Sequence, residues 1–462
     1  MAALSFSGIA SGIDSQAIID SSIASARLAR VTPNQKKVGE LEETNTALTT
    51  LGEKLDTLRT TLQQFTSLSG GGVSKTGTSS KESVAGATAS NAATNGSYDL
   101  TVAALAKNHT YSFNQTYSSS TTPVQSVGFV GPESVTFTVG TGTYMETVTV
   151  TVTNNTYTVG QFVSDFNAAS SKAEASLVNT GTESSPAYKI VISGLYEGTE
   201  KGTITRTAIG ANLTNLTAYS ESAASNSSVN IGGIGTVTRS TNSISDVIPG
   251  VTLNLVSAGT ATVKIAEDAA TTTAKLQDVV TAYNDIVRFI GENNQITRDE
   301  SGSEVKNILG PLSGTRTDDS ALQALRANIS SAIASSGSVV RVFSDLGITT
   351  ERDGTVKFDT TKLQSALSSE PSSVNDIIEG FADTVALTGG TIDKYTRYSG
   401  LLDISINNNK TLITDLNRRI TDAEKQIQRM ADALKERYAR LEGLMSRLQQ
   451  QQSSLSGALG GR

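Results

Sequence analysis

His109 is the only histidine in the chain, and there is no cysteine. These two facts remove most side-chain chemistry. Protein zinc sites draw on His and Cys sets, which this chain cannot assemble. A Ser–His–Asp relay would have to run through His109, inside KNHTYSF, a segment that reads as a strand or its edge. SGGGVSKT (residues 69–76) invites a phosphate-loop reading. That motif needs Gly immediately before its Lys and another five residues earlier, where this chain has Ser74 and Ser69. A flexible linker accounts for it better. ERDGTVKFD lacks the ligand series of a calcium loop and reads as a turn. Asp318–Asp319 is an adjacent carboxylate pair, expected as solvated charge at a helix start rather than as a general acid and base. Asn-x-Ser/Thr sequons such as Asn154–Thr156 arise by chance in a Thr-rich chain. No enzyme activity, metal or cofactor is expected, which leaves packing as the chemistry to read.

The positions that stand out are apolar and periodic. Leu41, Leu48, Leu55 and Leu62 recur every seven residues, with Leu51, Leu58 and Phe65 as a second row between them. Near the other end, Ile413, Leu416, Ile420, Ala423, Ile427, Met430 and Leu434 alternate spacings of three and four. One extra residue shifts the frame to Tyr438, after which Leu441, Met445, Leu448, Gln452 and Leu455 continue it. Heptads sustained this long predict a coiled coil or an extended bundle. Residues 410–459 as one helix would span ~75 Å at ~1.5 Å per residue, enough to project as a leg. The economical arrangement packs the two ends on each other, with further helices or other copies covering what remains. Thr44 and Gln452 are expected to fix register, and Ala24, Ala26 and Ala29 to permit close helix approach. Asp415–Arg419 and Glu436–Arg440 are spaced as ion pairs in the favourable order.

Three compositional zones position these rows. Residues 1–68 read as helical, with Thr32 as a cap before Pro33 at the first helical position. Between 75 and 270 the pattern alternates, as in VTFTVGTGTY (135–144), TVTVTVTNNTYTV (147–159), YKIVIS (188–193) and VTLNL (251–255), the period of half-buried strands. Asn95–Gly96 and IGGIG (231–235) break it, and a helix interrupts at 159–170. From 271 onward helix returns at 272–294, 320–336 and from Pro371 to about Thr388, with a hairpin on Asp353–Gly354. The 272–294 helix carries Leu276, Val279, Val280, Tyr283, Ile286, Val287 and Ile290 on one stripe.

The expected fold class is therefore α+β and multidomain. The N- and C-terminal helices form a coiled-coil or helical-bundle stem, with two β-rich head domains inserted. The stem comprises 1–74 with 271–462, in which 1–35 and 400–462 are the outermost leg and the remainder is a helical bundle with a hairpin. One head comprises 75–110 with 231–270, and a second, variable head covers 111–230. The formal charge is −7 without a basic block, which argues against nucleic acid. No apolar run of about 18 residues predicts membrane insertion. The first basic residue is Arg27 and MAALSFSGIASGID holds no sustained apolar core, so a cleaved signal peptide is not expected. The missing cysteine reads equally as chance or as exposure to changing redox conditions.

Several segments carry a family resemblance. FSGIASGIDSQAIIDSSI is similar to the opening of the flagellar filament capping family, also called hook-associated protein 2, whose signature here is Gly8, Ser11, Gly12, Ile13 and Asp14. SISDVIPGVTLNLVSAGTATVKIAED (243–268), AYND (282–285), GPLSGTRTDDSALQALRANI (310–329), SDLGITTERDGTVKFD (344–359) and ERYARLEGLMSRLQQQQSSLSGAL (436–459) follow in the family's order. The resemblance covers both ends and 243–459, and is weak across about 110–230. It implies a structural, homo-oligomeric cap at the distal tip of a bacterial flagellum, extracellular and serving motility. Five copies are expected, within a range of four to six that the heptads do not distinguish. Flagellin would be its partner, retained and helped to fold and polymerise. Export would use the flagellar type III apparatus and its chaperone. Heads of this kind can contact host surfaces in cell adhesion, although a solvated spacer without ligand is the preferred reading of 111–230. The alternatives are another axial component, flagellin or a hook–filament junction protein, or a coiled-coil surface adhesin.

Overall fold

The computed structural model describes residues 14–125, 128–129, 131–299, 306–334 and 337–459. The chain divides into two compact units. One comprises the chain up to Ser67 together with Thr273 onward, and the other comprises Leu68–Thr272.

The first unit opens with α1 (Ser15–Arg30) and α2 (Thr32–Gln63). Asp14 starts α1 by accepting the Ala17 N–H at 3.0 Å, which satisfies one of the orphan donors of the first turn. The expected cap at Thr32 is not formed. Val31 stays near helical geometry (φ −102°, ψ −52°), so Thr32 is already inside α2 and its hydroxyl turns back to the Arg27 carbonyl at 3.3 Å. Pro33 still interrupts the ladder because it has no N–H.

In the second unit, β1 (Lys75–Ser79), β2 (Ala85–Ala89), β3 (Gly96–Ala104) and β4 (Asn108–Phe113) come first. They are followed by β5 (Glu133–Val139), β6 (Glu146–Val152), α3 (Val159–Ala169), β7 (Ala173–Asn179), β8 (Tyr188–Glu197) and β9 (Ile204–Ile209). β10 (Tyr219–Ser222), β11 (Ser227–Ile231), β12 (Gly235–Arg239), β13 (Ser243–Ile248), β14 (Val251–Leu255) and β15 (Gly259–Glu267) complete it. The strand pairs of this unit are antiparallel, both between chain neighbours such as β5–β6 and β7–β8 and between strands distant in the chain such as β1–β15 and β3–β15. The sheets run in the orders β1-β15-β3-β11-β12, β13-β14-β2, β10-β4-β8-β7 and β6-β5-β9.

Two separate apolar clusters hold these sheets. Val84, Leu100, Val229, Leu253 and Val263 belong to one, and Phe113, Phe137, Phe162, Phe166 and Ile192 to the other. In the second cluster the Val/Thr alternation buries Val148, Val150 and Val152 of β6 and turns the threonines outward. The strand expected over 135–144 is shorter. Gly140 adopts φ +76° and ends β5 at Val139, after which 142–144 make a 3-10 turn.

The first unit resumes with α4 (Ala269–Asn293), the hairpin β16 (Ile296–Asp299) and β17 (Lys306–Leu309), and α5 (Thr317–Ser331). The hairpin β18 (Ile348–Thr350) and β19 (Val356–Phe358) precedes α6 (Thr360–Ser369), α7 (Pro371–Ala386), α8 (Thr391–Thr396) and α9 (Leu401–Leu459). α5 begins three residues before the expected 320 and ends at Ser331. Asp318 in its first turn is fully buried, not solvated. It accepts from Asn294 Nδ2 at 2.7 Å and from the Thr315 hydroxyl, tying the end of α4 to the start of α5. The fold is thus α+β and multidomain, with helices at both ends of the chain.

Candidate assembly seam

Eight threonines and two glycines make α2 a weak helix by propensity, so it stands on its seven-residue rows, whose apolar face must be covered. Leu41, Leu48, Leu51, Leu55, Leu58 and Leu62 of α2, and Phe65 just beyond it, are all buried. α2 packs against α9, α7 and α8, and α1 packs against α9. Gly52 is a close-approach point, where an added Cβ would lie 3.4 Å from Leu402 Cδ1. The cover on α2 therefore comes from helices of the same chain. An apolar cavity of about 30 Å³ lies among Leu58, Leu62, Tyr283 and Phe381. Its lining is apolar, so it offers a water no set of hydrogen-bond partners.

Polar contacts fix the register of the two chain ends. Arg27 meets the Glu424 carboxylate at 3.1 Å, Arg30 Nη1 reaches Gln426 Oε1 at 3.4 Å, and Asn409 Nδ2 donates to Asn45 Oδ1 at 2.9 Å. From Arg27 to Asn45 the partner falls from Glu424 to Asn409, so the pairing is antiparallel. Neither expected register residue does this. Thr44 instead has its hydroxyl 2.8 Å from the Pro311 carbonyl, and Gln452 is exposed. Ala24 and Ala29 are also exposed, and only Ala26 is partly covered. Asp415 pairs with Arg418 at 3.0 Å rather than with Arg419, whereas Glu436–Arg440 forms as expected at 3.4 Å.

Along α9 the row changes character. Ile413, Leu416 and Ile420 are half-buried, and Ile427 is buried. Beside Ile427 the buried residue is Ala431, while Met430 is exposed. The covered row thus steps four residues from Ile427 to Ala431 rather than three to Met430. Leu434, Tyr438 and Met445 are half-buried. Leu441, Leu448 and Leu455 are 45%, 57% and 61% exposed, and Leu444, absent from the expected row, is 60% exposed. The facing pairs place Ser15, at the start of α1, opposite roughly residues 436–439 of α9. The exposed leucines lie past that point. Of the N-terminal signature, Gly8, Ser11, Gly12 and Ile13 lie outside the described residues, and Asp14 is the α1 cap.

The AYND segment has a role that periodicity did not disclose. All seven stripe residues of α4 from Leu276 to Ile290 are buried. Beside them, buried Asn284 accepts the Val356 N–H at 2.7 Å and donates to the Val356 carbonyl at 2.9 Å. Its amide thus substitutes for a neighbouring strand on β19. Tyr283 donates to the Gly354 carbonyl at 3.4 Å, and burial, opposed by Arg326, pushes its phenol above the usual tyrosine range. The signal was a polar residue inside an apolar stripe.

Among the described residues, no group of three or more His, Cys, Asp or Glu side chains could hold a metal ion. No helix among them is long and apolar enough to cross a membrane.

Two family models match, "Flagellar hook-associated protein 2 N-terminus" over residues 11–109 and "Flagellar hook-associated protein 2 C-terminus" over residues 224–450. Flagellar hook-associated protein 2 of Escherichia coli K12 is 24% identical over 99% of this chain and 98% of its own length. The B-type flagellar hook-associated protein 2 of Pseudomonas aeruginosa is 27% identical over 47% of this chain. There the chain spans about half the relative's length, 46%. The crystal structure of the D1-D2-D3 domains of the flagellar cap protein FliD from Escherichia coli matches with a TM-score of 0.62 at 21% identity, covering 79% of this chain and 99% of that one. With both ends of the chain matched by its models, this protein belongs to the flagellar hook-associated protein 2 family.

Proposed function

We propose that this chain is a subunit of the cap at the tip of a bacterial flagellar filament. It acts as a structural assembly factor that retains exported flagellin and promotes its folding and polymerisation. The observation that carries this is the change along α9. Its first half is committed to α1 and α2, whereas from Leu441 onward the leucine row is solvent-exposed in the single chain. A leg that ends in an unspent apolar row can hold a partner and release it without unfolding the body above.

The unit containing both chain ends serves as stem and leg, with 1–35 and 400–462 outermost. Bounds at 110/111 and 230/231 would cut through β4 and β11, so residues 75–104 with 227–267 are taken as one head and 108–222 as the other, each around its own apolar cluster. The partners are further copies of the chain, about four to six and five as the working number, together with flagellin and the type III export apparatus with its chaperone. The site of action is outside the cell, at the filament tip. A strain lacking this chain tests the reading. It should shed unpolymerised flagellin into the medium and swim poorly, and the intact chain should restore both. Full-length filaments and normal flagellin retention without the chain would refute it. Electron microscopy of the purified protein should show a plate with legs.

A further inference from the structure

Asn95–Gly96, a break in the alternating pattern, leads into β3, and its asparagine side chain is engaged at both ends. Lys75 Nζ donates to Asn95 Oδ1 at 2.9 Å. Asn95 Nδ2 donates to Glu267 Oε1 at 2.5 Å, and Lys75 Nζ donates to the same oxygen at 3.1 Å. An amine, a carboxamide and a carboxylate therefore close a triangle in which every member touches the other two.

The sheet register builds this triangle. Lys75 opens β1 directly opposite Glu267 at the end of β15, and Gly96 opens β3 opposite Ile265 on the other edge of β15. β15 thus carries the carboxylate between the two strands to be joined. Ile265, two residues away on the same face, is buried, and the Lys75 and Glu267 side chains keep only 16% and 24% exposure. Asn95 closes the triangle from the solvent side. Burial pushes the Glu267 carboxyl up, but hydrogen bonds from Asn95, its own backbone and Lys75 together hold it below the usual range. It is therefore an ionised acceptor for the lysine's proton.

We propose that Lys75 and Asn95 join through a self-formed isopeptide bond, with Glu267 as the proton carrier. Glu267 takes one proton from the ammonium, and the neutral Lys75 Nζ attacks Asn95 Cγ. A second proton passes from the attacking nitrogen to Nδ2. The Nζ–Cγ bond forms, the Cγ–Nδ2 bond breaks, and ammonia departs with the proton held on Glu267. The balance needs no oxidant, reductant or added reagent, only the proximity that folding supplies. The competing nucleophile is the Gly96 nitrogen, which would give a succinimide and then an aspartate. Gly96 is already registered against Ile265, which ties its backbone to the ladder. The product suits its place. β1 is an edge strand paired with β15 alone, and the new bond would close the 20-position span from Lys75 to Asn95 around β15. With no cysteine in the chain, an amide gives the covalent closure that a disulfide gives elsewhere, without dependence on redox conditions.

Mass spectrometry of the purified full chain tests this. The folded protein should be one ammonia lighter than its sequence. Trypsin should fail to cut after Lys75 and should release a branched peptide joining Lys75 to Asn95. Lys75→Arg keeps a cation beside Glu267 but cannot supply a neutral amine, so it should show its full mass. Its unfolding equilibrium should shift about a hundredfold toward the unfolded chain, as loss of a closed loop of this length predicts. Glu267→Gln should also keep its full mass. Gly96→Ala hinders attack by the backbone nitrogen, and its added Cβ meets only the outer end of the Tyr98 side chain, at 3.2 Å from the hydroxyl. This variant should still form the branch. Full mass in the native chain, undiminished branching in Glu267→Gln, or ammonia loss that ends in an aspartate at position 95 with Lys75 still cleavable would each overturn the assignment.

Discussion

Leu55 and Leu448 occupy corresponding rows in the two terminal heptad segments, yet the structure gives them opposite roles. Leu55 is 1% exposed beneath its neighbouring helices, and Leu448 is 57% exposed. Truncating a fully buried leucine removes its transfer energy and leaves a void, so Leu55→Ala should cost about 3–4 kcal/mol. For a unit of this size, each kcal/mol lowers Tm by about 2–4 °C, so the helical transition should fall by about 6–16 °C. Leu448→Asp changes an exposed position, and the same transition should move by no more than about 0.5 kcal/mol, or 1–2 °C. Its consequence should appear in assembly, as flagellin in the culture medium and smaller swarming rings from cells carrying this variant. Circular dichroism melts of the purified variants and an immunoblot of the medium read the two halves separately. The reasoning fails if Leu448→Asp melts as low as Leu55→Ala. It fails equally if the Leu448→Asp strain swims normally and keeps its flagellin.

Three further perturbations have defined outcomes. Asn284→Ala strands the N–H and carbonyl of Val356 in a buried site, at about 1–3 kcal/mol each, so the Val356 amide should exchange its hydrogen at least tenfold faster; an unchanged rate would remove the clamp. Asp14→Ala deletes the cap on α1 and should destabilise that helix by about 1 kcal/mol, read as roughly fivefold faster exchange over its first turn. Burial holds the His109 imidazole below its ordinary pKa against the opposing pull of the Glu221 carboxylate. The unfolded chain therefore takes up its proton first on acidification. The resulting stability is present above the unfolded value near 6.5 and is lost as pH falls through the lowered folded value. With only one histidine in the chain, its NMR titration reads this directly, and a midpoint above 6.5 would reverse the sign.

Much of this arrangement is legible in the residues because a regular period is a strong constraint. The α4 stripe from Leu276 to Ile290 is buried as its 3.6-residue spacing requires, and the Val/Thr alternation of β6 sorts itself between inside and outside. Shorter elements escape such a reading. α6, α8 and the β16–β17 hairpin last ten, six and four-plus-four residues, too few for a period to accumulate. Polar residues inside apolar surroundings escape for a different reason. Asp318 resembles a solvated charge at a helix start until the tertiary fold supplies Asn294 and Thr315 as donors.

Periodicity also reports that a face needs a cover without saying which molecule supplies it. The same heptad logic selects Leu41 through Leu62 and Leu441 through Leu455. The first row is covered within the chain, and the second stays exposed beyond the point where α1 begins. The difference lies in helix length. α9 runs 59 residues, about 88 Å at ~1.5 Å per residue, whereas α1 runs 16 and starts opposite its middle third. Where a long helix outlasts its partner, the remaining apolar row must stay wet or be covered by something else. Each covered leucine gains about 1.5–3 kcal/mol from burial, so a row of three or four supplies a useful binding energy only after the ordering costs of association are subtracted. That remainder is modest for one leg and larger for several legs acting together, which is the balance required of a cap that must hold a filament end and still move along it.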